Sequence, residues 1–587
     1  VVGHGLIRPT TEAPETVRQI LALSDTLIRD QPDTPLLANF ARRIPRKIEP
    51  VRQAPFPLAE PLGHSNDAHP VADRQRDALA HLVEIKDGDI LAVNGPPGTG
   101  KTTMLLSAIA GERVRAALTQ SDPPLIVAAS TNNQAVTNII DAFGKDFAQG
   151  TGPFAGRWLP GIKSFGLYLP ADSKEAEASE KYQTASFFQK LETAEYLDEA
   201  RASYLSAARR AFPEMRQATV ASVVEVLHQR LQEECRALAR IDAVHSKCSA
   251  AEEAVRQFLG EDPISVFAGL LEVLKHSSEQ NAEAVALQYK WEEWLAAEPM
   301  LLSLFGFVPP VARKRVLRAR LFLRQAGVPE GLLSAERIEA IDNGLKENSR
   351  SIALQAEQAT KAYDRADRLL AEQAARQNDW RTLAKAFVSN TKDDPDLREI
   401  DRAADVTVRF RLFLLATHYW EGRWILAVEK ALPDIQRYQR DWRGREDRKR
   451  IELMWARRMM LTPCAVSTFS TLPKKMTCRD NSSGGWRQEY MFNHIDLLIV
   501  DEAGQVLPEV AGPSFSLAKR ALVIGDTQQI EPISALPASV DAGNLIEAGL
   551  IPHGGGREDL LALDNVGLIS RSGSAMRLAQ FAFRFHS

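Results

Sequence analysis

Two kinds of hydrophobic pattern alternate along this chain. "DILAVNG" and "PLIVAAS" are short apolar runs that end on polar residues, as strands buried on both faces of a parallel sheet do. With their flanks they predict helix, strand, glycine loop, helix, strand, helix over 71–150. From 460 the same pattern returns in "PCAVSTF", "IDLLIVDEAG" and "RALVIGD". Between these blocks, over 151–459, glycine is scarce and Ala, Glu, Gln, Arg and Leu dominate. The reading is an α/β domain with a parallel sheet, first part 71–150 and second part 460–587, interrupted by a long all-helical insertion. Residues 1–70, rich in proline and arginine, predict a short helix near 15–29 and then an extended arm, an accessory segment.

Heptad spacing sharpens the picture of the insertion. Val220, Leu227, Ile241, Cys248 and Val255 share one heptad position, with Val224, Leu231, Leu238 and Leu259 at the other, and Gly260 ends the run. A second run places Ile352, Ala359, Ala366, Trp380 and Phe387 opposite Ala356, Tyr363, Leu370 and Ala384. Two such helices separated by a smaller helical segment predict an antiparallel coiled-coil hairpin, each arm reaching roughly 60 Å at about 1.5 Å per residue. Polar residues such as Glu234, His245 and Gln373 interrupt both seams, so an ordinary helical bundle is the alternative.

Composition narrows the class. With 587 residues, 44% hydrophobic and 25% charged, the chain is a multidomain globular protein. "RFRLFLLA" is too short for a membrane span and carries two arginines, so no membrane partner is expected. A net charge of −4 neither requires nor excludes a nucleic-acid partner. Cys235, Cys248, Cys464 and Cys478 have no metal-site spacing and fit unpaired thiols in a reducing, cytoplasmic compartment.

The chemistry begins at "VNGPPGTGKTTML". Gly95-x4-Gly100-Lys101-Thr102 has a strand before it and a helix after it, the context a phosphate-binding loop needs. Gly95, Gly98 and Gly100 let the backbone curl so that N–H groups face phosphate oxygens. The helix start adds its positive end. Lys101 brings a point charge to the outer phosphates, and the Thr102 hydroxyl is a Mg²⁺ ligand. Thr99 and Thr103 complete the expected nucleotide-binding set, and Pro96 and Pro97 stiffen the loop. The second half is "LLIVDEAGQ". Leu497 to Val500 read as a buried strand, and Asp501 emerges at its carboxyl end, where open α/β sheets bind ligands. Asp501 is the expected second Mg²⁺ ligand, and Glu502 the residue that polarises the attacking water.

"GPPGTGKTT", "DEAGQ" and "GDTQQIEPI" together resemble motifs I, II and III of superfamily 1 helicases, closest to the DEAxQ group typified by the nonsense-mediated-decay helicase. "VADRQRDAL" resembles the Q motif, which implies that Gln75 reads the adenine edge. By the same resemblance Gln505 and Gln529 face the γ-phosphate, Gln529 in a catalytic role, and Asp526 couples that site to the strand-binding face. "AASTNNQAVTNII" resembles motif Ia, which implies sugar-phosphate contacts from Ser130, Thr131, Asn132 and Asn133. These residue types equally favour helix capping. "AVSTFSTLP" resembles the next nucleic-acid motif, around Ser467 and Thr468.

The resemblance implies a RecA-like P-loop NTPase domain, ATP and Mg²⁺ as cofactors, and a single-stranded DNA or RNA partner. Motifs IV to VI of the family's second RecA-like domain do not occur, and Arg584 is a poor stand-in for its arginine finger. The expectation is the ATP-binding half of a helicase, 5′ to 3′, that hydrolyses ATP poorly alone. An ATP-gated nucleic-acid clamp or recruitment module is the alternative, and a ring-forming remodeller is disfavoured by "DEAGQ" followed by "GDTQQIEP". The basic stretches 311–324 and 437–450, the latter with Trp442, either track a nucleic-acid backbone or are solvated helix faces. The helical insertion is also a candidate surface for a protein partner.

Overall fold

A computed structural model of the chain describes residues 15–42, 44, 49–50, 56–60, 62–96, 98–131, 133–146, 150, 152–215, 217–328, 333–388, 396–440, 447–480, 487–528, 532, 536–552, 555–565, 567–570, 572–583 and 585–586. It divides into two compact units, Val1–Asp242 with Pro395–Ser587, and Ala243–Asp394.

The first unit is built on six parallel strands. They are β1 Ile90–Asn94, β2 Ile126–Ser130, β3 Gly166–Leu169, β4 Cys464–Thr468, β5 Leu497–Val500 and β6 Ala521–Gly525, in the spatial order β1-β6-β5-β2-β4-β3. Every residue of β2, β4, β5 and β6 is buried, which is why these runs read as continuous apolar stretches rather than alternating ones. The α/β fold with a parallel sheet, interrupted by long helices, is the architecture expected of a RecA-like domain with a helical insertion.

Helices make up most of the remaining described structure. They include α1 Glu15–Asp30, α2 Pro35–Phe40, α3 Asp73–Glu84, α4 Lys101–Leu118 and α5 Asn133–Asp146. Further along come α6 Ala194–Ala211, α7 Val220–Leu259, α8 Pro263–Ala296, α9 Pro309–Gln325 and α10 Ile338–Phe387. The last are α11 Leu397–Ala404, α12 Phe410–Arg440, α13 Arg448–Leu461, α14 Pro508–Phe515 and α15 Ala575–Ala582. Nearly all of α4 beyond its first turn is buried. Its Arg113 spends two N–H groups on the carbonyls of Met459 and Met460 at the end of α13 (2.9 and 2.6 Å). The expected N-terminal helix is α1. The accessory segment also contributes α2, whose Phe40 stacks on Phe515 of α14 at 3.9 Å between ring centroids.

Two features differ from the sequence reading. β3 lies within 151–459, the stretch given to the helical insertion, and pairs with β4 as the edge strand of the main sheet. Helices α6, α12 and α13 likewise belong to the first unit. A four-residue strand in a helix-rich context leaves too short a pattern to read.

In the second unit α10 runs antiparallel to a broken arm made of the C-terminal part of α7 followed by α8. Gln377 donates to Glu252 (3.2 Å), Leu259 and Ala366 share a core, Phe267 stacks on Tyr363 at 5.1 Å, and Trp291 donates to Asp342 (3.1 Å). The break falls at Gly260, whose φ of +74° only glycine takes without strain. No apolar residue of either heptad seam is exposed. The first seam nevertheless splits. His228 Nε2 of α7 donates to the Leu118 carbonyl (3.1 Å) within the first unit, and α8 supplies much of the partner surface for α10. Around α9, residues Trp291, Val316, Ala319, Leu323 and Ile341 form a separate small core.

Candidate nucleotide site

The phosphate-type loop joins β1 to α4. Gly98 and Gly100 have φ of +80° and +77°, and Gly100 is the left-handed N-cap of α4. Thr99 Oγ1 donates to the Pro96 carbonyl (2.8 Å), closing the loop on itself, and Lys101 Nζ donates to the Gly95 carbonyl (3.1 Å). The register Asn94↔Gly525 places the loop beside the end of β6. There the Asn94 amide and Thr527 bond reciprocally, Nδ2 to Oγ1 at 3.0 Å and Thr527 N to Oδ1 at 3.1 Å. Sequence reading assigned neither residue a part; an amide just before the first loop glycine is the only local signal.

Asp501 and Glu502 follow β5, two strands away from β1 in the sheet. Glu502 has φ +53° and ψ +39°, a left-handed conformation that costs a non-glycine residue free energy and is held by its surroundings. The next loop residues are packed backbone to backbone. A Cβ on Gly504 would lie 2.6 Å from the Asp526 carbonyl oxygen, and one on Gly525 2.9 Å from Gly504 N. Glu502 Oε1 lies 3.8 Å from Lys101 Nζ. The structure thus brings the side chains of residues 101 and 502 together.

The electrostatics favour a cation. Burial, with Glu502 beside it, pushes the Asp501 carboxyl up to about 6, although the Glu502 N–H donates to its Oδ1 at 3.0 Å. The donors expected to hold Mg²⁺ are the Thr102 hydroxyl, on an exposed residue, and this carboxylate, both hard oxygens suited to that ion. The raised pKa has a measurable sign. Asp501 favours folding below its ordinary value of 3.8 and loses that contribution as pH rises through about 6. At pH 7 its ionised form costs the nucleotide-free protein about 2–3 kcal/mol. Asp501→Asn, which keeps the oxygen that accepts from Glu502 N, is therefore expected to raise the stability of the nucleotide-free protein at pH 7. The gain disappears below about pH 4. Chemical denaturation at both pH values checks this.

Gln75, expected at the adenine edge, sits against the loop. Its Oε1 accepts from Ala72 N (3.1 Å) and its Nε2 donates to the Thr99 carbonyl (2.5 Å), so it closes its own helix start and braces the loop. Gln505 is exposed, and its N–H bonds the Glu502 carbonyl (2.9 Å). Asp526 is buried and accepts from Gln528 N (2.8 Å), fixing its own turn. Of the expected nucleic-acid set, Thr131 is exposed. Ser130, Ser467 and Thr468 are buried. The Ser467 hydroxyl donates to the Leu169 carbonyl (3.3 Å), and that of Thr468 bonds Ser470 and Thr471. The Ser467 and Thr468 hydroxyls are thus spent on hydrogen bonds within the protein. Gln529, Asn132, the Asn133 side chain, Pro97, Trp442 and Arg584 lie outside the described residues. In α9, Arg315 pairs with Glu298 (2.6 Å), while Arg313, Lys314 and Arg318 are exposed.

A family model described as an AAA domain, that of the DEAxQ superfamily 1 helicases, matches residues 70–461. The chain belongs to this helicase family. The matched stretch contains the phosphate loop, and the sheet register joins it to the acid pair beyond residue 461. A P-loop NTPase domain of helicase type is thereby established. No curated protein matches the chain. Among the described residues no helix is long and apolar enough to cross a membrane.

Proposed function

We propose that this chain is the ATP-binding part of a superfamily 1 motor that couples ATP hydrolysis to 5′ to 3′ movement on single-stranded DNA or RNA. The observation that carries the reading is the meeting of Lys101 Nζ and Glu502 Oε1 at 3.8 Å beside the glycine loop. The loop N–H groups and Lys101 bind and orient the triphosphate. Glu502, held by its left-handed backbone at the mouth of the site, positions a water and accepts its proton. Thr102 and Asp501 would hold Mg²⁺, which would supply neutralisation of phosphate charge. Gln75 keeps the loop in its binding shape through the Thr99 carbonyl. The Gly504–Asp526 backbone contact carries a change at the acid pair to the turn after β6.

ATP hydrolysis by the full-length protein, measured with poly(dT), with poly(U) and without either, tests the reading. Stimulation by one or both polymers is expected, and the better polymer identifies the strand. Equal rates in all three would remove the motor assignment. Nucleotide-dependent strand binding without displacement of a duplex strand would leave the clamp in its place.

A further inference from the structure

A cavity of about 520 Å³ opens in the first unit between the short helix Ala185–Leu191, α12 and α13. Its volume lies in the range that small-molecule pockets occupy. It shares no residue with the phosphate loop or the acid pair. Phe188, Ile435, Ile451 and Met454 supply apolar wall, and Arg457 and Arg458 line it side by side.

The two arginines differ in kind. Arg457 is answered by Glu192, with Nε to Oε1 at 2.6 Å. Arg458 makes no ion pair among the described residues, and its enclosed Nε meets no hydrogen-bond acceptor. Its guanidinium packs instead over the rings of Trp455 (5.4 Å) and Phe188 (5.8 Å). Burial lowers its pKa to about 10, so it remains a cation at neutral pH. Arg458 is half-buried, so its guanidinium loses part of its hydration, and ring faces repay only part of that cost. A planar fork of donors facing a ligand-sized, partly apolar cavity matches a carboxylate or a phosphate carried on an aromatic or aliphatic body.

We infer that this cavity is a second ligand site, separate from the nucleotide site, for a small organic anion whose phosphate or carboxylate pairs with Arg458 while its apolar body lies against Phe188 and Met454. Arginines outnumber carboxylates on the wall, three to two, which favours an anion over a cation. Glu192 is already engaged, and Asp434 is the other acid on the wall.

Titration calorimetry on the full chain tests this with 1-naphthoate, 1-naphthyl phosphate and the uncharged 1-naphthalenemethanol. Both anions are expected to bind, and the tighter one distinguishes carboxylate from phosphate. The alcohol is expected to bind at least about tenfold more weakly, because a charge-assisted pair is lost. Arg458→Met should weaken the anions by about tenfold or more, with Arg458→Lys intermediate. Ile435→Trp, which fills the cavity, should abolish binding, with melting curves checking that each variant folds. Lys101→Ala should leave anion binding unchanged, whatever its effect on ATP. Equal anion affinity in wild type and Arg458→Met would overturn the proposal. So would the absence of binding by either anion at millimolar concentration, or loss of binding in Lys101→Ala, which would place the anion in the phosphate loop.

Discussion

In the full-length protein, Glu502→Gln is expected to lower ATP turnover by about 10²–10⁴-fold while leaving nucleotide affinity nearly unchanged. The substitution keeps size and hydrogen bonding but removes the proton acceptor. It also removes the charge 3.8 Å from Lys101 Nζ, which frees the ammonium for phosphate rather than weakening its hold. The backbone of residue 502 stays left-handed because the Gly504–Asp526 packing fixes the loop. Steady-state hydrolysis and calorimetric binding of a non-hydrolysable analogue separate the two effects. Unchanged turnover would transfer the water-orienting role to another residue.

Asp405→Ala is expected to destabilise the first unit by about 3–5 kcal/mol, the scale for breaking a buried charge network from one side. Asp405 sits in a π-helical turn, Asp405–Arg409, between α11 and α12, and is 1% exposed. It accepts from Arg76 Nη2 (2.6 Å), Arg409 Nη1 (2.6 Å) and Val71 N (3.0 Å). Without it Arg76 and Arg409, both buried, share Asp401 alone. Burial pushes the Asp405 carboxyl upward, but Arg409 and Arg76 outweigh that and hold it below its ordinary value. The network's contribution is therefore present above the ordinary value of 3.8 and is lost as pH falls through the lower folded value. Denaturation of wild type and variant should show a large difference at pH 7 that shrinks in strong acid. Arg76 adjoins Gln75, so the variant should also raise the KM for ATP by loosening the brace on Thr99. An unaltered denaturation midpoint would show that the network is replaceable.

The strands and the phosphate loop were legible because their signals are local. A parallel strand buried on both faces must be an apolar run, and "DILAVNG", "PLIVAAS", "PCAVSTF", "DLLIVD" and "ALVIGD" each appear as such in the sheet. Gly98 and Gly100 take positive φ, a backbone requirement that leaves glycine in the sequence. The heptad seams were readable as apolar positions, but their partners were not. Periodicity states which face is buried and is silent on what covers it, so α7 divides its seam and α8 enters as an unforeseen arm. Motif types likewise indicated an interest in phosphates at Ser130, Ser467 and Thr468, whereas burial in the folded sheet decides which hydroxyls reach solvent.

By itself the sequence determined the α/β class, five of the six strands described in the main sheet, and the presence of a glycine loop and of an acid pair at a strand end, because each follows from spacing and backbone preference within a few residues. Only the tertiary structure decided that β3 joins the main sheet, that Gln75 braces the loop it was expected to complement, and that Arg458 lines a cavity while making no ion pair among the described residues. Those outcomes depend on which distant segments meet, and contact between distant segments leaves no periodic trace in either one.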